Sequence, residues 1–234
     1  MALTTNLTHY YKLDSDYTDS VGSLDFTNVS TSLVSAKISN GASANSGTTG
    51  QYIYTANEAI GGAGTEMSVS YWVYSRTLSQ STHAGVFFHA DSANGDQPTW
   101  GAQMENGDDW YCYCNTVNAN YSSTTNIQLP LNAWTHMVQV YNVTDGKCYF
   151  YQNGSLVYTL TCNNSGLKAQ TTKWKGLMQK SSGRSFNGIL DEIGIWSRAL
   201  TAVEVGQLYN SGDGLQYPFS TTATENAIFT SMNF

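Results

Sequence analysis

Charge is what this chain has least of. Only 12% of its 234 residues are Asp, Glu, Lys or Arg, about half the usual share of about 25%. Ten Lys and Arg stand against seventeen Asp and Glu, for a net charge of −7, and no basic run or patch occurs. Nucleic acid is held through cationic contacts with phosphates, and anionic membranes attract the same charges, so neither is an expected partner. No apolar run approaches the length that crosses a bilayer. The start, Met1-Ala2-Leu3-Thr4-Thr5-Asn6, has neither a basic n-region nor an apolar h-region, so no signal peptide is read. No G-x-S-x-G or Cys–His signature is present. His9, His83, His89 and His136 fall into no metal-ligand spacing. No internal repeat or coiled-coil heptad is visible.

Cysteine and proline are scarce too. Three prolines in the whole chain leave many segments free to pair as strands. The four cysteines, Cys112, Cys114, Cys148 and Cys162, include no CxxC pair. They read as free thiols packed as small hydrophobes. Cys114–Cys148 and Cys112–Cys162 bridges stay open, since sequence cannot assign connectivity. A hairpin centred on Asn153-Gly154 would set Cys148 opposite Thr159.

What the chain does have is hydrophobic and aromatic content, 41% and 13%, with 16 Tyr and 21 Gly, too much for a disordered chain. The length suits one all-β domain. Apolar alternation reads as strands at Tyr10 to Leu13, Gln51 to Tyr54, Met67 to Ser75, Gly85 to His89, Trp100 to Met104 and Asp109 to Asn115. Others follow at Ala133 to Asn142, Lys147 to Gln152, Ser155 to Thr161, Lys173 to Gln179 and Ile189 to Trp196. Met67, Val69, Tyr71 and Val73 share one face of their strand; Trp72 and Tyr74 share the other. Asn153-Gly154 is a type I′ hairpin signal. Gly-, Ser- and Asn-rich stretches at Asn40 to Gly50, Gly61 to Gly64, Asp91 to Thr99 and Thr116 to Asn126 read as loops, where binding residues concentrate.

The run from Phe186 to Val205 carries the most information. Ile189, Ile193 and Ile195 alternate with Leu190 and Trp196 on the other parity. Asp191 and Glu192, as strand neighbours, are expected on opposite faces. Thr201-Ala202-Val203-Glu204 then has the form of a capping box, with Leu200 and Val205 placed as a hydrophobic staple. Val205, Leu208 and Tyr209 continue one helical face, and Gly212 suits a helix stop.

This run resembles the closing segment of concanavalin A-like, laminin-G-type jelly-roll domains: a G-x-[IL]-D-E strand at Gly188 to Glu192, an aromatic at Trp196, an R-A-L turn at Arg198 to Leu200 and a short helix from Glu204 to Tyr209. Tyr10 to Asp14 with Asp19-Ser20-Val21-Gly22 is similar to the family's first strand and Asp-Ser-x-Gly loop. Trp134 to Val138 with Phe150 to Gly154 is similar to its W-x-H-V strand and hairpin. The resemblance covers roughly residues 7 to 217. It implies an all-β fold, a two-sheet antiparallel sandwich of jelly-roll type, with one short helix near Ala202 to Asn210. The domain is set at 1–217, followed by an extension or docking arm at 218–234.

The resemblance also implies a structural Ca²⁺ between first loop and last strand, on Asp19, Gly22 and Asp191; the plainer role for Asp191 is capping a turn or pairing with Arg198. For carbohydrate, aromatic platforms with fixed polar partners are needed. Trp100, Trp110, Tyr111, Tyr113 and Tyr121 offer the first; Asp108, Asp109, Asn106 and Asn115 offer the second. The plainer role for any of the aromatics is core packing. Family glucanases use closely spaced carboxylates on one strand face. No E-x-D-x-x-E-like run occurs here, so no catalytic residue is named. The expected function is a non-catalytic, lectin-like virion surface protein, a capsid decoration or fibre component. It would sit outside the cell after release, binding glycans weakly for attachment and contacting other virion proteins or copies of itself. A purely structural capsid or tail protein, and a carbohydrate-binding module of a secreted bacterial enzyme, are the alternatives.

Overall fold

Alternating burial along the strands builds two layers. The computed structural model describes residues 1–45, 50–80, 82–90, 98–105, 109–177 and 184–219. Its strands are β1 (Leu7–Tyr11), β2 (Thr27–Val29), β3 (Ser32–Ser35), β4 (Asn40–Ala44), β5 (Tyr52–Tyr54), β6 (Glu58–Ile60), β7 (Met67–Ser75) and β8 (Ala84–Ala90). They continue as β9 (Pro98–Glu105), β10 (Asp109–Cys114), β11 (Ser122–Gln128), β12 (Trp134–Asn142), β13 (Lys147–Gln152), β14 (Ser155–Thr161), β15 (Gln170–Gly176) and β16 (Gly188–Trp196), before the helix α1 (Ala202–Tyr209). One sheet runs β14-β13-β12-β7-β16-β4-β3, with β1 also on β16; the other runs β11-β10-β9-β8-β15-β5-β2, with β6 also on β15. The all-β sandwich with one short helix is thus as expected.

The chain's ends meet on β16. β4 flanks its Gly188–Leu190 half, and β1 flanks the other half from Ile193 to Trp196. Between the sheets lies the main core, where Val69, Tyr71 and Val73 of β7 meet Phe87, Trp100, Trp110, Trp174 and Ile195. Each such large side chain contributes about 1.5–3 kcal/mol by leaving water. A second cluster, on the outer side of the first sheet, holds Tyr10, Trp196, Leu200, Val205 and Leu208. It exists because α1 lays its apolar face there.

The helix starts as its sequence dictates. Glu204 N donates to Thr201 Oγ1 (3.3 Å) and Thr201 N to Glu204 Oε2 (2.9 Å), closing both halves of the capping box. Asn210, at φ 48, makes the left-handed cap, with Gly212 (φ +99) just beyond. Arg198 pairs with Glu204 at 2.9 and 2.7 Å, not with Asp191.

Several readings are corrected. β4 and β11 occupy stretches read as loops, and β2, β3 and β6 were not marked as strands. β4 is built of small residues because nothing larger fits: a Cβ on Gly41 would stand 2.7 Å from the Leu190 carbonyl. β11 is an edge strand with polar residues outward, burying only Thr125 and Ile127. The hairpin register slips between Phe150 and Tyr151, so Cys148 faces Leu160 rather than Thr159. A bulge also interrupts β16 between Asp191 and Gly194, with Glu192 at φ 50. Strand parity flips there, so Leu190 joins Ile193 and Ile195 in the main core while Trp196 faces the outer cluster. The four cysteines are free thiols, three of them buried. Of the C-terminal extension, Phe219 packs on Tyr10, ring centroids 5.3 Å apart; residues 220–234 lie outside the described residues.

Candidate functional site

A cleft of about 440 Å³ opens where β1 and the end of β16 face β6, the Gly61–Gly64 loop and the start of β7. The loop shape is glycine-dependent: Gly61 has φ +82, and a Cβ there would collide with the Lys168 carbonyl. Its backbone is pinned by Gly62 N donating to Leu167 O (2.7 Å) and Gly64 N to Ser165 O (3.1 Å). This is one of the four loops that composition had marked for binding.

Two carboxylates line the cleft, and each is held in place. Glu58 Oε1 accepts from His9 Nε2 (2.7 Å) and Oε2 from the Trp174 indole N–H (2.6 Å). Glu66 Oε1 accepts from Val143 N (3.2 Å) and Oε2 from Ala199 N (3.3 Å). Each oxygen keeps a further lone pair for a ligand. Thr8, which also lines the cleft, donates its hydroxyl to Ile195 O (3.0 Å). Trp174 is a fully buried floor rather than a stacking platform.

Behind Glu58 stands an ionic chain. His9 Nδ1 contacts Asp19 Oδ2 at 2.6 Å while its Nε2 contacts Glu58. With a carboxylate on each side, both ring nitrogens are donors and the ring is an imidazolium. Burial alone would lower the His9 pKa; its hydrogen bonds to Asp19 and Glu58 override that and raise it to about 9. Burial likewise pushes Asp19 up, but His9 and the N–H groups of Gly22, Tyr10 and Val21 bring it to about 2. Glu58 falls below the usual range because its bond to His9 outweighs burial.

The residues expected to hold Ca²⁺ are placed as follows. Asp19 and Gly22 share one loop. Asp19 Oδ1 accepts from the N–H groups of Tyr10, Val21 and Gly22 (3.0, 3.1 and 3.0 Å), and Oδ2 faces His9 and Leu24 N (3.3 Å). Asp191 accepts from Ile38 N (2.8 Å) and Glu192 N (2.9 Å). Asp19 is taken up by five donors, the His9 ring among them, which leaves it little to offer a cation, whereas Asp191 accepts one N–H on each oxygen. The Asp19 half of the expected set therefore does not fit a cation, and among the described residues no group of three or more His, Cys, Asp or Glu is arranged to hold a metal.

The β16 bulge changes the acidic pair. Asp191 and Glu192 are both buried, and both have partners on the outer side of the sheet rather than on opposite faces. Glu192 accepts from the Tyr10 hydroxyl and from Gln216 Nε2 (2.6 Å). Burial pushes Asp191 up to about 8 and Glu192 to about 7.

The aromatic residues proposed for sugar do not form one platform. Trp100 and Trp110 are core residues, closed to a ligand, because inward alternation on β9 and β10 places them between the sheets. Tyr113 is nearly buried; Tyr111 is half-buried, donating to Ser122 Oγ (2.7 Å). Tyr121 and Asp109 are half-buried; Asn115 is buried, its side chain accepting from Tyr121 N (2.9 Å). Asn106 and Asp108 lie outside the described residues. Glu58, Glu66 and Thr8 were missed, since they come together only through long-range pairing; the glycine loop was the one signal toward them.

The model of the concanavalin A-like lectin/glucanases superfamily matches residues 46–206, well over half of the chain. The chain belongs to that superfamily. No curated protein matches the sequence. Among solved structures, this superfamily domain is similar to domain 4 of AbnA, a GH43 extracellular arabinanase from Geobacillus stearothermophilus, solved in complex with arabinotriose. That likeness has a TM-score of 0.66 at 21% identity, covering 86% of this chain and 97% of that one. It is also similar to the botulinum neurotoxin serotype G binding domain, with a TM-score of 0.67 at 17% identity, covering 87% and 50% of the two chains. The serotype D ligand binding domain in complex with N-acetylneuraminic acid gives a TM-score of 0.68 at 14% identity, covering 88% and 51%. The superfamily domain thus spans about half of each neurotoxin binding domain and nearly all of the arabinanase domain.

Proposed function

We propose that this domain is a non-catalytic, glycan-binding module, and that the Glu58–Glu66 cleft holds the sugar. The carrying observation is the cleft itself: its acceptors are fixed by backbone and indole N–H groups before any ligand arrives, the preorganisation that hydroxyl-rich ligands require. Solved relatives in which a similar fold carries arabinotriose or N-acetylneuraminic acid support the reading. Binding is expected to be weak, since the cleft offers no exposed aromatic platform among the described residues. A glycan array followed by calorimetry tests it. Ala59→Trp, which fills the cleft from exposed β6, should abolish binding without lowering the melting temperature. An array blank at high protein concentration would instead favour a purely structural role.

A particle-surface setting, as a capsid decoration or fibre component, is a second reading. It is favoured by β14, an edge strand with no charged residue that exposes Leu156 and Val157. Unprotected edges of this kind pair with other chains. Light scattering at high concentration should show self-association that Leu156→Lys removes; a monodisperse monomer speaks against the reading. Recovery on purified particles would decide the location.

A further inference from the structure

We propose that the cleft selects neutral, hydroxyl-rich glycans and rejects those bearing a carboxylate, such as sialylated chains; this deepens, and rests on, the glycan-binding reading. The fold does not decide the matter, because similar folds are found with arabinotriose and with N-acetylneuraminic acid. The lining does.

Glu58 and Glu66 line the space, and each of their oxygens accepts one N–H, which leaves acceptor capacity on both carboxylates. Arg198 is the one cationic side chain among the described lining residues, and it is already committed. Its two terminal nitrogens hold Glu204 at 2.9 and 2.7 Å, and its Nε donates to Thr5 O at 2.8 Å. The His9 imidazolium is used twice over, by Asp19 and by Glu58. Counting Asp19, His9 and Glu58 together leaves one net negative charge, and Glu66 adds a second. Among the described lining residues an incoming carboxylate finds no uncommitted cation and two like charges in a recessed site, where water screens poorly. A sugar hydroxyl finds the reverse: carboxylate oxygens held rigidly and ready to accept, the stronger, charge-assisted type of bond.

The experiment is calorimetric titration of the intact chain, at neutral pH and low salt, with arabinotriose, lactose and sialyllactose. The neutral sugars are expected to bind, and sialyllactose to bind at least roughly tenfold more weakly than lactose. The gap should narrow as salt is added. Glu66→Gln keeps the shape and removes one charge, so it should shrink the gap between lactose and sialyllactose; its melting temperature checks that it folds. Glu58 is left alone because changing it breaks the His9 chain. Sialyllactose binding as tightly as lactose or more tightly overturns the inference while leaving a glycan-binding domain. A gap unchanged in Glu66→Gln, or binding untouched by Ala59→Trp, also overturns it by placing the sugar elsewhere. If none of the three binds while the wild type is folded, the glycan-binding reading itself falls.

Discussion

The His9 imidazole is clamped between sheets, 2.7 Å from Glu58 Oε1 on β6 and 2.6 Å from Asp19 Oδ2 beside β1. Its pKa of about 9 in the fold, against 6.5 ordinarily, makes it a source of stability below pH 6.5 that is lost as the pH rises through about 9. His9→Gln should therefore lower stability by roughly 2 kcal/mol at pH 6, a figure reduced from the full linkage value because solvent partly screens Glu58. The deficit should vanish above pH 10. Urea unfolding across pH measures it, and an NMR titration should find the His9 ring still protonated at pH 8.

Glu192 works in the opposite sense. A carboxyl whose folded pKa is raised disfavours the fold as the solution becomes less acidic. Its penalty begins above the ordinary value of 4.5 and is complete above about 7. Glu192→Gln mimics the protonated form, so it should be near neutral at pH 4.5 and stabilising by roughly 2 kcal/mol at pH 8. A variant that destabilises equally at both pH values would contradict this.

Asp19 belongs to the frame. Asp19→Ala leaves His9 Nδ1, one side of the buried cation, and several N–H groups unpartnered and should destabilise by roughly 3–5 kcal/mol. Calcium should not shift the melting temperature of either the wild type or the variant. A rise on adding calcium to chelator-treated wild type would show that the donor set has been misjudged.

Cys162 is the half-exposed thiol of the four, and its bond with Cys114 draws its pKa below the ordinary value. Burial pushes Cys112 and Cys114 well above theirs. A thiol-specific reagent should therefore label Cys162 first in the folded protein and reach the other three only on unfolding. Cys162→Ser should remove the native reactivity. Early labelling of Cys112 or Cys114 would refute it.

Much of this was legible along the chain. The alternation at Met67 to Ser75 placed Val69, Tyr71 and Val73 on one face, and the Thr201–Glu204 box placed the helix start, because both signals are local and their periods are those of the backbone itself. Strands such as β4 and β11 were hidden because their small or polar residues owe their pairing to neighbours distant in sequence. Trp100 and Trp110 lie on strands, but the burial of both faces of a sheet left no sequence mark of which ring meets solvent.

By itself, then, the amino-acid order determined the fold class and the capped helix. Only the tertiary structure decided where a ligand fits. Thr8 and His9 lie far along the chain from Glu58 and Glu66 and become their neighbours only when β1 docks on β16 and β6 on β15. The physical reason is that a binding site depends on which side chains converge across strands, whereas a strand or helix depends mostly on the residues within it.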